Sequence, residues 1–271
     1  MTRKPMAKNA RSTAGVLQEL LDVIARLRAP EGCLWDRHQK IADVGKYLIE
    51  EAFEVLDAIE REALGDLKEE LGDLLFQILF IARITEEEGA FDLNDVITEI
   101  TEKMIRRHPH VFGDEKVENV EDIRANWEDI KQRVELKRGR EDSLLCGIPP
   151  ALPALMRAEK VTKEASKAGF DWENIEGVIQ KLDEELDELK QALSSNNKDR
   201  IRTEMGDVLL SFVNLGRFTG VNTEEALRFS TQKFIKRFKF IEDRFREKRK
   251  PLSEASLEEM DALWNEAKKL E

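Results

Sequence analysis

The residues best suited to chemistry in this 271-residue chain are acids in a repeated arrangement. Glu51 and Glu54 stand three apart, and so do Glu70 and Asp73 further on. All four recur 134 positions later, as Glu185, Glu188, Glu204 and Asp207. On a helix, an i, i+3 spacing puts both acids of a pair on one face. Carboxylates buried without a cation are costly, so they need positive charge or must stay neutral. Four of them converging from two helices make a hard, all-oxygen donor set. Such a set suits Mg2+, with Mn2+ as the alternative, and leaves positions for phosphate oxygens. Two plainer readings compete. The first pair could be the solvated side of a Leu-rich helix, and Glu70 and Asp73 could merely favour a helix N-terminus. Recurrence of the whole set weighs against both.

Basic residues repeat as well. Lys103 and Arg107, at i, i+4, recur as Lys233 and Arg237 at an offset of 130. A point charge and a guanidinium fork beside a metal site could hold a triphosphate. Standing alone, the pair would be an ordinary basic face near a helix end. Trp127 and Lys131 recur as Trp264 and Lys268, at an offset of 137. A Trp there could stack on a base, although a core Trp with an exposed edge is the commoner outcome. No Gly-x-x-x-x-Gly-Lys, Gly-x-Gly-x-x-Gly or Glu-x-x-His occurs. P-loop, dinucleotide and ferritin-like di-iron sites therefore lack their signatures. His108, Pro109 and His110 read as a surface turn at a helix end, and His38 has no partner in sequence reach.

The elements that must carry these residues are helices. Apolar residues recur at three- and four-residue spacing, and strand-like alternation is absent. Leu48, Ala52, Val55 and Ile59, widened by Phe53 and Leu56, form one predicted stripe. Ile179, Leu182, Leu186, Leu189 and Leu193 form another. Residues 72–84 are apolar nearly all round, which predicts a helix central in its bundle. Pro30, Pro109, Pro149, Pro150, Pro153 and Pro251 all fall between these segments. The offsets define two copies of one helical module. Even the entrances match, with Leu34, Trp35 and Asp36 answered by Phe170, Asp171 and Trp172. The expected architecture is all-α: a disordered basic tail over 1–15, a first module over 16–136, a linker over 137–153 and a second module over 154–271.

Composition sets the outer bounds. The chain carries 44 basic against 56 acidic residues, a net −12, which argues against a general nucleic-acid binder because phosphate neutralisation supplies that affinity. An acidic protein that takes a triphosphate must do so through metal ions rather than a broad positive field. Cys33 and Cys146 lie far apart, which predicts no disulfide framework and a reduced compartment. No apolar run approaches membrane-spanning length, and the basic opening lacks the hydrophobic stretch of a secretory signal. A cytoplasmic protein without membrane or nucleic-acid partners is the expectation.

Glu-Glu-x-x-Glu, then Glu-x-x-Asp, then Lys-x-x-x-Arg, resembles the MazG family of nucleoside triphosphate pyrophosphohydrolases. The segments 106–112, 152–158 and 169–172 are also similar to tandem-domain bacterial members, so the resemblance runs close to full length. It implies an all-α fold of four-helix-bundle-type units, usually homodimeric. It further implies Mg2+-dependent hydrolysis of NTPs or dNTPs to the monophosphate and pyrophosphate, with broad base tolerance. Carried over by position, Glu185, Glu188, Glu204 and Asp207 would hold the metal and form the catalytic set. Lys233 and Arg237 would bind phosphates, while Trp264 and Lys268 would close over the nucleotide. In the first module the matching set is Glu51, Glu54, Glu70, Asp73, Lys103, Arg107, Trp127 and Lys131. No ligand-type position is lost in either copy. Family members often rely on the second module, and the first then serves dimerisation or regulation. Glu185 or Glu188 is the expected general base. The competing reading is a nucleotide-sensing or helical interaction module that binds metal and NTP without turnover. A purely structural helical repeat is the third.

Overall fold

The computed structural model describes residues 12–115, 117, 119–120, 122–123, 127 and 143–270. Among the described residues there are helices and no strands. The chain divides into two compact units, residues 1–133 and 134–271.

The first unit contains α1 (Thr13–Arg28), α2 (Leu34–His38), α3 (Ile41–Glu60), α4 (Leu64–Glu87), α5 (Leu93–Arg107) and the single turn α6 (Pro109–Phe112). Ser12 caps α1, and Asp92 caps α5 through a reciprocal pair with Asp95. The hub is α4, which packs on α3 and also touches α1 and α5. Three residues join α3 to α4, so the two must run antiparallel. The core gathers Ile24, Val44, Leu79, Phe80 and Ile84, with Leu17, Leu20 and Phe76 packed around it.

The second unit repeats the plan with α7 (Ala154–Lys167), α8 (Ile175–Ser195), α9 (Lys198–Thr219), α10 (Thr223–Glu247), a 3-10 turn (Leu252–Glu254) and α11 (Leu257–Lys269). Here α9 is the hub against α8, α7 and α10, and α11 packs on α10. Asn196 ends α8 in the left-handed conformation at φ 53°, and the Asn197 side chain accepts hydrogen bonds from the first turn of α9. The corresponding residue of the first hairpin, Glu62, adopts φ 54°. One tight reversal therefore closes both hairpins, and it sets how far along each helix the two acid pairs meet.

Three expectations need correcting. The covered stripe of α3 is Val44, Leu48, Glu51, Val55 and Ala58, and that of α8 is Val178, Leu182, Glu185, Leu189 and Ala192. Ala52, Phe53, Ile59, Ile179 and Leu193, assigned to the stripes by periodicity, are exposed. Both helices carry apolar residues on more than one stripe, and the partner helix decides which is covered. The second correction concerns residues 72–84. The stretch of α4 from Leu79 to Thr85 is enclosed, but Leu71, Leu75 and Ile78 are 49%, 42% and 43% exposed. With 24 residues α4 outruns the 16-residue α1, which cannot cover it at an equal rise per residue. Met205, Leu209 and Phe212 leave α9 open in the same way. Third, α1 begins at Thr13, so the last residues of the segment read as tail are helical. Residues 1–11, and 137–142 of the expected linker, lie outside the described residues; Ser143 to Pro153 form turns up to the start of α7. No helix among the described residues is long and apolar enough to cross a membrane.

Candidate metal and phosphate centre

The covered stripes explain the placing of the acids. Glu51 occupies a seam position on α3, between Leu48 and Val55, and therefore meets α4 rather than solvent. Glu185 takes the same place on α8 and is only 6% exposed. A carboxylate at such a position loses water and must find compensation from its neighbours.

In the first unit, Glu51, Glu70 and Asp73 each offer an oxygen within 4.8 Å of the others. Glu54 adjoins them, adding repulsion to both Glu51 and Glu70. Desolvation, followed by the charges of Glu54 and Asp73, pushes the Glu51 carboxyl above its ordinary value, partly offset by Gln77. The Gln77 amide donates to Glu51 Oε1 at 3.5 Å across the hairpin. Glu70 is raised for like reasons, with desolvation first and Glu54 next. No ion pair reaches Glu51, Glu54, Glu70 or Asp73 among the described residues. Crowded, unpaired, partly desolvated oxygens are the donor set a divalent cation would relieve.

In the second unit, Glu185, Glu188 and Glu204 offer oxygens within 4.8 Å of one another, and Asp207 stands one turn beyond Glu204 outside that set. Desolvation, then Glu204 and Glu185, raises the Glu188 carboxyl. Two cations enter this cluster that sequence reasoning did not single out. Lys181 Nζ lies 2.7 Å from Glu185 Oε1 and 3.0 Å from Glu184 Oε1, while Arg200 Nε lies 3.6 Å from Glu204 Oε1. Those carboxylates hold the Lys181 ammonium in its charged form well above the usual lysine range. The signal was present as Lys-x-x-x-Glu and Arg-x-x-x-Glu, at i, i+4 on one helix.

The expected phosphate binders follow on the next helix of each unit, Lys103 and Arg107 on α5, Lys233 and Arg237 on α10. Each arginine rests on the tryptophan of its own copy. Arg107 Cζ lies 4.8 Å from the Trp127 ring centre, and Arg237 Cζ lies 5.3 Å from that of Trp264. Phe234 also meets Trp264, at 5.0 Å between centroids, and Lys233 Nζ sits 4.9 Å over Phe229. The structure thus brings arginine and tryptophan together in both copies. Lys268 is exposed a turn past Trp264, and Lys131 lies outside the described residues. His108 accepts no role here: its Nδ1 is 2.7 Å from the Met104 carbonyl, and Pro109 opens the short α6.

Known proteins resemble this chain over most of its length. The sequence profile of the MazG nucleotide pyrophosphohydrolase domain matches residues 39–112 and again 173–241. A Thermotoga maritima protein named nucleoside triphosphate pyrophosphohydrolase/pyrophosphatase MazG is 44% identical over 257 residues, covering 94% of this chain and 97% of its own. The Escherichia coli K12 protein named nucleoside triphosphate pyrophosphohydrolase is 42% identical over 260 residues, covering 94% and 98%. A crystal structure of a mazG-related protein from Thermotoga maritima, 30% identical, aligns with 42% of this chain and 98% of its own at a TM-score of 0.38. Both matched stretches contain the complete four-acid set with its Lys-x-x-x-Arg, and both end before the Trp-x-x-x-Lys pair. The chain therefore belongs to the MazG nucleotide pyrophosphohydrolase family, and it carries the family's domain twice in line.

Proposed function

We propose that this enzyme hydrolyses nucleoside triphosphates, ribo or deoxy, to the monophosphate and pyrophosphate with Mg2+, tolerating different bases, as a cytoplasmic homodimer. The observation that carries the reading is the carboxylate cluster at the seam of each helical hairpin, followed in each unit by a helix bearing Lys-x-x-x-Arg. The names of the long-range relatives favour the same reaction. Glu185, Glu188 and Glu204 would hold the ion in the second unit, with Asp207 completing the set; Glu51, Glu54, Glu70 and Asp73 would do so in the first. A bound divalent ion supplies Lewis-acid charge at the phosphate oxygens and acidifies the attacking water. Lys233 and Arg237 bind and orient the phosphates, and the aromatic faces of Phe229 and Trp264 position them. Lys268 is free to reach over the nucleotide from the exposed side of α11. Glu185 or Glu188 accepts the proton of the water as it attacks the α-phosphorus. We place turnover in the second unit and give the first a part in assembly or regulation. The two free cysteines fit a reduced compartment.

The test is incubation with each NTP and Mg2+ in H2(18O). Label in the monophosphate, with pyrophosphate released, supports attack at the α-phosphorus. That turnover should vanish in Glu204→Ala and Asp207→Ala and survive in Glu70→Ala. Orthophosphate and a diphosphate would overturn the proposal. Normal turnover in Glu185→Gln would leave Glu188 as the base.

A further inference from the structure

The two four-acid sets match position for position in sequence, yet the residue four positions before each key glutamate differs in kind. Before Glu185 and Glu204 stand Lys181 and Arg200; before Glu51 and Glu70 stand Tyr47 and Asp66. Lys181 Nζ is 2.7 Å from an oxygen of Glu185, whose side chain is 8% exposed. Arg200 and Glu204 approach to 3.6 Å, with the glutamate side chain 13% exposed. In the first unit the position of Arg200 carries an acid, and Asp66 is taken up by Arg61 at 2.9 Å. Lys46, the neighbour of Tyr47, lays its ammonium over the tyrosine ring at 4.6 Å.

We propose that Lys181, seconded by Arg200, is a resident counter-ion that competes with a divalent cation for the second carboxylate cluster, so that the first unit binds such a cation more tightly than the second. This rests on the reading of both clusters as metal sites. An ammonium held at hydrogen-bond distance from Glu185 satisfies the charge a divalent ion would seek. The ion can take that carboxylate only by displacing the lysine or facing it across a short gap, and in a partly desolvated seam two close cations repel strongly. Among the described residues the first cluster has no such competitor, and it gains the full relief of its crowded acids on binding. The sequence difference between equivalent positions therefore becomes a difference in affinity and in order of loading, with the first unit filling before the second. Lys181 is a positioning residue in this role, acting on the ion through Glu185.

Mn2+ titration of the full-length protein without nucleotide, with free Mn2+ followed by EPR, reads this directly. Two classes of site are expected. Glu70→Gln should remove the tight class and Glu204→Gln the weak one. Lys181→Met should tighten the weak class by about tenfold, the scale on which groups around a metal site set its affinity. Arg200→Met should do so to a smaller extent, and Tyr47→Lys should weaken the tight class. Lys181→Gln, with circular dichroism melts of each variant, guards against misfolding. A weak class unchanged or weakened in folded Lys181→Met and Lys181→Gln would overturn the inference while leaving the metal reading intact. Failure of the folded wild type to retain Mn2+ at any site up to millimolar concentration would overturn both.

Discussion

At the scale of single residues, the crowded acids set a test that needs no substrate. Glu70 has its carboxyl raised, first by desolvation and then by Glu54. A group whose folded pKa lies above its unfolded value binds more protons in the folded state. Its stabilising contribution is present at low pH and is lost as pH rises above the ordinary value of 4.5. In EDTA at pH 7, Glu70→Gln should therefore melt higher than the wild type, and the gap should close as the pH is lowered. Excess Mg2+ should reverse the order, because the wild type then gains a ligand-linked increment that the variant lacks. A second residue-scale expectation concerns Arg28, whose side chain is 7% exposed. Its Nε and Nη2 donate to Glu87 at 3.0 and 2.7 Å, and its Nη1 donates to the Asp36 carbonyl at 2.6 Å. Loss of these charge-assisted bonds in Arg28→Met should cost about 2–3 kcal/mol in urea unfolding. In the second unit Arg217 pins the matching entrance through Asp171, but from α9 rather than from the first helix of the unit.

At the scale of elements, the hairpin reversals govern the site. Asn196 suits the left-handed conformation it adopts, whereas Glu62 occupies the same conformation with a side chain that disfavours it. The first hairpin compensates through Arg61, which pairs with Asp57 at 2.7 Å and Asp66 at 2.9 Å. Both pairs are half-exposed, so they contribute little. Glu62→Asn should accordingly stabilise the protein by about 0.5–1 kcal/mol, read as a higher denaturation midpoint at unchanged m-value. The turn after α9 is tight in another way. A Cβ on Gly216 would fall 2.5 Å from Thr223 Cγ2 and 2.6 Å from the Val221 carbonyl oxygen. The first copy carries Ala82 at the corresponding position, so the end of the hub helix is packed differently in the two units.

At the scale of the whole molecule, two properties point outward. With a charge of −12, the proposed Mg2+ uptake and self-association should both depend on ionic strength. The uncovered flanks of the hub helices present Leu71, Leu75 and Ile78 in one unit and Met205, Leu209 and Phe212 in the other. On the proposed homodimer, these large apolar side chains are the surface expected to be covered by the second copy. Sedimentation velocity of the full chain should show a dimer. Leu75→Glu or Phe212→Glu should yield monomer, with helix content by circular dichroism retained.

Some of this was settled by residue order alone. Helical periodicity, the position of the prolines and the offset of 134 made the all-α class and the duplication legible, because both depend on local spacing. The same offset picked out the acids, since chance does not repeat four of them at one distance. What periodicity did not decide was which apolar stripe faces inward. On α3 and α8 two neighbouring stripes carry comparable hydrophobicity, and only packing against α4 and α9 selected the one containing Glu51 and Glu185. That choice turned a solvated acid into a seam carboxylate. Tertiary structure likewise separated the two clusters, by holding Lys181 against Glu185 while Tyr47 leaves Glu51 to Gln77. Charge and spacing belong to the chain, but burial and the nearest counter-ion arise only once two helices meet.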